Sequence, residues 1–253
     1  MSGSVNRAAA EGFGAVAEEY ERARPDYPRA AVERLTAELR IETGSRVLDL
    51  GAGTGKLTRM LSGANVVAAE PLASMRERFA RVLPGVPLVA AVAEALPFRD
   101  AAFDDVVCAQ AFHWFDGERA LAEIHRVLAA GGGLALIWNV KDESVPWVRA
   151  LGDILRPHQA KVPQETTGRW REAFGASELG PLEEARFPHG QRLDAEGLVE
   201  RYASASYVAT LPDERRRDVL LRVRDLAETH PDLAGRESFE LPYVTELHWS
   251  TRR

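Results

Sequence analysis

Cysteine is nearly missing from this chain of 253 residues: Cys108 stands alone, so there is no internal disulfide framework to read. No stretch approaches the roughly 18 consecutive apolar residues of a membrane span, and no basic start runs into an apolar stretch as in a secretory leader. The reading that follows is a cytoplasmic chain with no membrane partner. Positive charge is also short. With 32 Lys and Arg against 38 Asp and Glu, the net charge of −6 argues against nucleic acid as a partner, since a general binder carries a basic face. The run Arg215-Arg216-Arg217 lies among Asp213, Glu214 and Asp218 and reads as a solvated helix face. Internal repeats and low-complexity linkers are absent. Asp104 and Asp105 are neighbours on an expected strand and point to opposite faces, so no metal site is expected. The length suits one sizeable α/β domain, residues 1–253, as a monomer or homodimer.

What the chain does have is a glycine-rich turn behind an apolar run, Val47-Leu48-Asp49-Leu50-Gly51-Ala52-Gly53-Thr54-Gly55-Lys56. Glycine there lets a ligand approach bare backbone and permits angles other residues avoid. A helix expected from about Thr54 would aim its unpaired N–H groups at the same spot. A Walker A loop would need glycine at Leu50 and Ser or Thr at Leu57, and a dinucleotide fingerprint would place its third glycine at Lys56. Neither spacing fits.

Three further segments follow in order. Ala64-Asn65-Val66-Val67-Ala68-Ala69-Glu70 is an apolar run ending in an acid, continued by Pro71-Leu72-Ala73-Ser74-Met75. Then comes Ala91-Val92-Ala93-Glu94-Ala95-Leu96-Pro97-Phe98, and then Phe103 to Ala109 running into Gln110-Ala111-Phe112-His113-Trp114-Phe115-Asp116. Together with Asp-x-Gly-x-Gly-x-Gly these segments resemble the class I S-adenosylmethionine-dependent methyltransferases, a type 11 domain similar to the trans-aconitate methyltransferase branch. The resemblance implies an enzyme using S-adenosylmethionine, released as S-adenosylhomocysteine, without a metal. It implies cofactor contacts from Asp49, Gly51, Ala52, Gly53, Gly55, Glu70, Pro71, Met75, Ala93, Glu94 and Gln110. Glu70 would accept the two ribose hydroxyls, which suits a carboxylate with two acceptor oxygens. Pro71 also fits the first position of a helix. At the N-terminus Tyr20-Glu21-Arg22-Ala23-Arg24-Pro25-Asp26-Tyr27-Pro28 resembles an element of the same branch in which Tyr20 and Arg24 approach the methionine end of the cofactor.

Alternating apolar runs and helical spacings predict strands near 46–50, 65–70, 87–91, 104–109 and 133–139. Leu121, Ile124, Val127 and Leu128 place one helix face on the sheet between Gly117 and Leu128, with Gly131-Gly132-Gly133 ending that helix. Later helices are expected at about 143–157, 165–175, 194–205 and 212–229, and strands near 182–189 and 238–250. The fold expected from pattern and resemblance is α/β, a Rossmann-like, doubly wound, seven-stranded, mostly parallel sheet with helical lid and cap insertions. Residues 1–35 would form the lid, 36–140 the cofactor core, and 141–253 the remaining strands with a cap at about 191–236.

The acceptor is expected to be a small molecule, an organic or carboxylic acid or a natural-product hydroxyl. His113 is a candidate base or pocket residue, and Phe112 and Trp114 are candidate walls. Arg169, Arg171 and Arg201 are possible anchors for an acidic acceptor. Cys108, set in an apolar strand, reads as a buried small hydrophobe. A nicotinamide-dependent oxidoreductase, a binding module without turnover and a nucleic-acid methylase remain the alternatives.

Overall fold

The computed structural model describes Glu21, residues 23–159 and residues 167–252. Its centre is one seven-stranded sheet in the order β3-β2-β1-β4-β5-β7-β6. The strands are β1 Arg46–Leu50, β2 Asn65–Ala69, β3 Leu88–Val89, β4 Phe103–Ala109, β5 Leu128–Lys141, β6 Glu183–Leu193 and β7 Phe239–Thr251. The first five run parallel, while β7 is antiparallel to both β5 and β6. The strand order reverses beside β1, so the carboxyl ends of β1, β2 and β4 frame the crevice where such sheets bind ligands.

Helices cover both faces. Helix α1, Arg29–Glu38, buries Ala31, Val32 and Leu35 against Val47, Val107, Ala135 and Ile137 of one face. Helices α2, Ala73–Val82, and α3, Gly117–Val127, follow β2 and β4. In α3 the residues Leu121, Ile124 and Val127 are buried, as their helical spacing requires. They pack on the opposite face with Leu48, Val106, Cys108 and Leu136. After β5 comes α4, Pro146–Gln159. Between β6 and β7 lie α5 Ala195–Ala203, α6 Ser206–Ala209 and α7 Asp213–Thr229. A separate apolar cluster joins α4 to these three helices through Leu151, Leu198, Val219 and Val223, and to β7 through Leu241 and Tyr243.

Five local expectations are corrected. The helix expected from Thr54 is only a 3-10 turn, Thr58–Met60: Gly55 at φ 90° bars a helix from starting at Thr54, and Leu61 at ψ 55° leaves the helical region directly after Met60. Pro71 is not the first residue of α2: Leu72 is still extended and the helix begins at Ala73. The three glycines do not terminate α3, which ends at Val127 before they begin. They lie inside β5, where a Cβ on Gly132 would fall 2.1 Å from the Asp104 carbonyl oxygen, so they permit close strand approach at an irregularity opposite Phe103 to Asp105. The segment expected as a helix at 165–175 is, in its described part, a 3-10 helix, Arg169–Ala176, that packs Trp170 and Phe174 on Phe112. Strand β6 extends to Leu193, beyond the expected 182–189, because the long β7 pairs with it throughout.

Candidate active site

A cleft of about 970 Å³, open mouth included, lies at the carboxyl ends of β1, β2 and β4. It is lined by Gly51, Ala52 and Gly53 of the glycine loop, by Glu70, Pro71, Leu72 and Met75, by Ala93 and Glu94, and by Gln110 and Trp114. Thus most residues singled out by sequence converge on one wall-to-wall surface.

The three loop glycines do different work. Gly51 has φ 71°, and a Cβ there would lie 2.7 Å from the Cβ of Ala111. Gly55 has φ 90° and would strike Leu83 at 2.6 Å, so it packs the loop onto α2 and does not line the cleft. Gly53 has φ 56° but no atom within 4 Å of such a Cβ. Its missing side chain leaves free space facing the cleft, a cradle that suits a ligand against backbone.

Glu70 is buried, and its carboxylate is held from both sides. Gly53 N–H donates to Oε2 at 2.9 Å and Leu72 N–H donates to Oε1 at 2.8 Å. Burial pushes its pKa up from the ordinary carboxylate value, while these two N–H groups act the other way. Each oxygen retains a second lone pair, the capacity needed for a vicinal diol. Glu70 therefore ties the glycine loop to the end of β2 and still presents acceptors to the cleft.

Asp49 lies behind the loop and is not part of the lining. It is fully buried, and Thr58 Oγ1 donates to its Oδ2 at 2.5 Å. Burial first, and the nearby Glu70 charge second, push it up to about 7. Because the folded value is above the unfolded value, this carboxyl favours folding at acid pH, and that contribution is lost as pH rises from about 4 to about 7. A shift of roughly three units corresponds to a loss on the order of 4 kcal/mol. Asp49→Asn is accordingly expected to gain stability relative to the parent between pH 5 and pH 8, measured by urea denaturation at both. Parallel pH profiles for parent and variant would contradict the assignment.

Gln110 occupies the left-handed region at φ 57°, uncommon for a residue with a side chain. That turn at the end of β4 swings Ala111 and Trp114 into the cleft wall. Glu94 also lines the cleft and accepts from Asp116 N–H at 2.8 Å, which fixes the start of α3. Phe112, expected to wall the pocket, is instead buried in the core against Phe115, Trp170 and Phe174. Its 3-10 turn, Phe112–Trp114, puts Trp114 toward the cleft and Phe112 away from it. His113 is likewise not in the cleft lining; Trp138 Nε1 donates to its Nδ1 at 3.2 Å. Cys108 is buried, and burial together with Asp49 pushes its thiol well up, as befits a packing residue.

Tyr20 lies outside the described residues. Arg24 is half-buried beyond the cleft lining, where its charge acts on Tyr202. Sequence reasoning missed Tyr27, Thr54 and Lys56 in the lining. Tyr27 is brought there by an ionic tether: Lys56 meets Asp26 at 3.1 Å, and Arg59 meets Glu21 and Asp26 at 2.5 Å each. The charge alternation of Glu21, Asp26, Lys56 and Arg59 was visible, but their pairing needed the fold. Among the described residues no group of three or more His, Cys, Asp or Glu side chains is gathered to hold a metal, and no helix is long and apolar enough to cross a membrane.

A glycine loop beside an acidic strand end, on a parallel sheet closed by a β7 that runs antiparallel between β5 and β6, defines the class I methyltransferase architecture. Comparison with known proteins agrees. Residues 48–136 match the model of the methyltransferase domain family. The chain is 40% identical to an uncharacterised methyltransferase of Mycobacterium bovis over 235 residues, 92% of each chain. It is 34% identical to a methyltransferase-like protein of Schizosaccharomyces pombe over 90% of each chain. The fold aligns with the YcgJ protein of Bacillus subtilis at a TM-score of 0.61 and 19% identity, covering 89% of this chain and 99% of that one. The chain belongs to the class I S-adenosylmethionine-dependent methyltransferase family and is a methyltransferase.

Proposed function

We propose that this enzyme transfers the methyl group of S-adenosylmethionine to an oxygen of a small organic acid. The observation that carries the cofactor reading is the pairing of Glu70 with the open space at Gly53: ribose acceptors and bare backbone stand side by side on the cleft wall, joined by the Gly53 N–H bond to Oε2. Pro71, Leu72 and Met75 continue from Glu70 as apolar lining suited to a nucleoside, and the presence of Ala93 and Glu94 in the same lining supports the adenine contact that the resemblance implies for them. When bound, S-adenosylmethionine supplies an activated methyl on a sulfonium, which a carboxylate oxygen can take while the electrons of the breaking S–C bond return to sulfur, leaving S-adenosylhomocysteine and a methyl ester.

The protein's own share is alignment and exclusion of water, which in well-oriented model reactions is worth about 7–11 kcal/mol. Trp114, Phe115 and Tyr27 wall the cleft and serve that purpose. His113 supports an acceptor that is already ionised. Indole N–H is a donor only, so the Nδ1 that receives it from Trp138 is an acceptor. The neutral ring then carries its proton on Nε2 and has no second lone pair with which to take another. His113 in this arrangement is a hydrogen-bond donor rather than a base, and a carboxylate acceptor needs no base.

The test is methyl transfer from labelled S-adenosylmethionine to a panel of organic acids and their alcohols. Transfer to acids supports the reading, and transfer confined to alcohols or amines overturns the acceptor class. His113→Ala is expected to lower turnover by no more than about the 10²-fold at the low end of general-base contributions, with the acid limb of the pH profile unchanged. Loss of a titrating limb near neutral pH in that variant would restore His113 as the base.

A further inference from the structure

Beneath the helices between β6 and β7 lies a second polar cluster that the cleft does not include. Arg201, in the last turn of α5, is 5% exposed. Its Nε donates to the hydroxyl of Tyr243 at 3.2 Å, its guanidinium carbon lies 5.2 Å from the ring centre of Tyr202, and its Nη1 is buried with no hydrogen-bond partner. Among the described residues, the groups that act most strongly on its charge are the hydroxyls of Tyr243, Tyr202 and Tyr207. The end of α5 and the aromatic faces offset part of the charge. They leave Nη1 without an acceptor, which is costly for a buried cation.

Other orphaned atoms lie along the same chain of contacts. The Tyr202 hydroxyl is buried without a partner, and so are His189 Nε2 and Gln191 Oε1. His189 stacks on Tyr243 at 5.5 Å between ring centres, and Gln191 lies two residues further along the same face of β6. Thr245 Oγ1 donates its one proton to Asn139 Oδ1 at 2.6 Å, so its 3.2 Å contact with His189 Nδ1 makes that nitrogen a donor and leaves Nε2 an acceptor. The cluster thus offers two unused donors, at Arg201 and Tyr202, and two unused acceptors, at His189 and Gln191. Besides Arg24, whose charge also acts on Tyr202, Lys141 adds a cation 5.7 Å from the Tyr202 ring centre, paired at 3.9 Å with Glu143.

The same contacts lead back to the cleft. From Arg201 they pass through Tyr243, His189 and Thr245 to Asn139, whose carbonyl receives Gln110 Nε2 at 3.4 Å. Gln110 lines the cleft at β4, two strands from Glu70 on β2 and therefore at the end opposite the ribose acceptors.

We propose that this cluster is the acceptor subsite, in which Arg201 and Tyr202 hold a carboxylate of the substrate while His189 and Gln191 receive a hydroxyl or amino hydrogen of the same molecule. The proposal rests on the methyltransferase reading of the cleft and names its acceptor as a hydroxy or amino acid with a second oxygen to methylate. Of the three arginines the sequence offered as anchors, it selects Arg201; Arg171 is half-exposed and paired with Glu184, and Arg169 lies at the surface.

The test uses the full chain saturated with S-adenosylhomocysteine, with malate, succinate, succinamide and inorganic phosphate as probes and thermal stabilisation as the readout. Malate is expected to stabilise most, succinate less and succinamide not at all. Tyr202→Phe, which keeps the ring, is expected to weaken malate by about tenfold or more, since a hydrogen bond to a charged group is lost. Arg201→Gln is expected to abolish the effect, with S-adenosylhomocysteine affinity unchanged in both variants. Equal stabilisation by succinamide, stabilisation by phosphate alone, or malate binding unaltered in Tyr202→Phe would each overturn the subsite. Failure of S-adenosylhomocysteine itself to bind the parent would instead overturn the cofactor reading, so the two failures are separable.

Discussion

Replacing Glu70 by alanine is expected to weaken S-adenosylhomocysteine binding by roughly 5- to 150-fold, the equivalent of about 1–3 kcal/mol. Two losses combine. The ribose hydroxyls lose their acceptors, and the Gly53 and Leu72 N–H groups lose theirs, so the loop is no longer tied to β2. The second loss also appears without any ligand, as a lower melting temperature. Calorimetric titration and thermal unfolding of the same variant therefore separate the roles: a stability loss with full affinity would leave Glu70 structural only, and unchanged values of both would remove it from the site.

The second large effect distinguishes two glycines that look alike in sequence. Gly51→Ala is expected to cost about 2–5 kcal/mol of stability, from about 1–2 for the left-handed backbone and about 1–3 for overpacking on Ala111. For a chain of this size that lowers the melting temperature by several degrees. Gly53→Ala carries only the backbone part, because its Cβ meets nothing in the protein. Its deficit should appear in cofactor affinity instead, since the new methyl projects into the cleft. The expected pattern is a larger stability loss at Gly51 and a larger ratio of affinity loss to stability loss at Gly53. The reverse pattern would mean that the cleft face of the loop has been misidentified.

These two positions show what the sequence could and could not convey. The glycine spacing, the acid at the end of β2 and the turn after β4 are local features, and each emerged on the cleft wall. The doubly wound, mostly parallel sheet was legible because alternating strands and helices leave few ways to wind a parallel sheet. The division of labour among Gly51, Gly53 and Gly55 was not, since it depends on Ala111, Leu83 and empty space contributed from elsewhere in the chain. The same limit explains Phe112, an aromatic beside the cleft in sequence but turned into the core by a single 3-10 turn. It also explains Tyr27, carried into the lining by ion pairs between segments about thirty residues apart. Arg201 was one arginine among many until the fold set it among the hydroxyls of Tyr243, Tyr202 and Tyr207.

The measurement that bears most directly on the central claim is parallel calorimetric titration of the purified protein with S-adenosylmethionine, S-adenosylhomocysteine and NAD. The account predicts saturable binding of the first two and none of NAD. Binding of NAD alone would contradict it, because the Glu70 carboxylate and the Gly53 cradle would then serve a dinucleotide rather than a methyl donor.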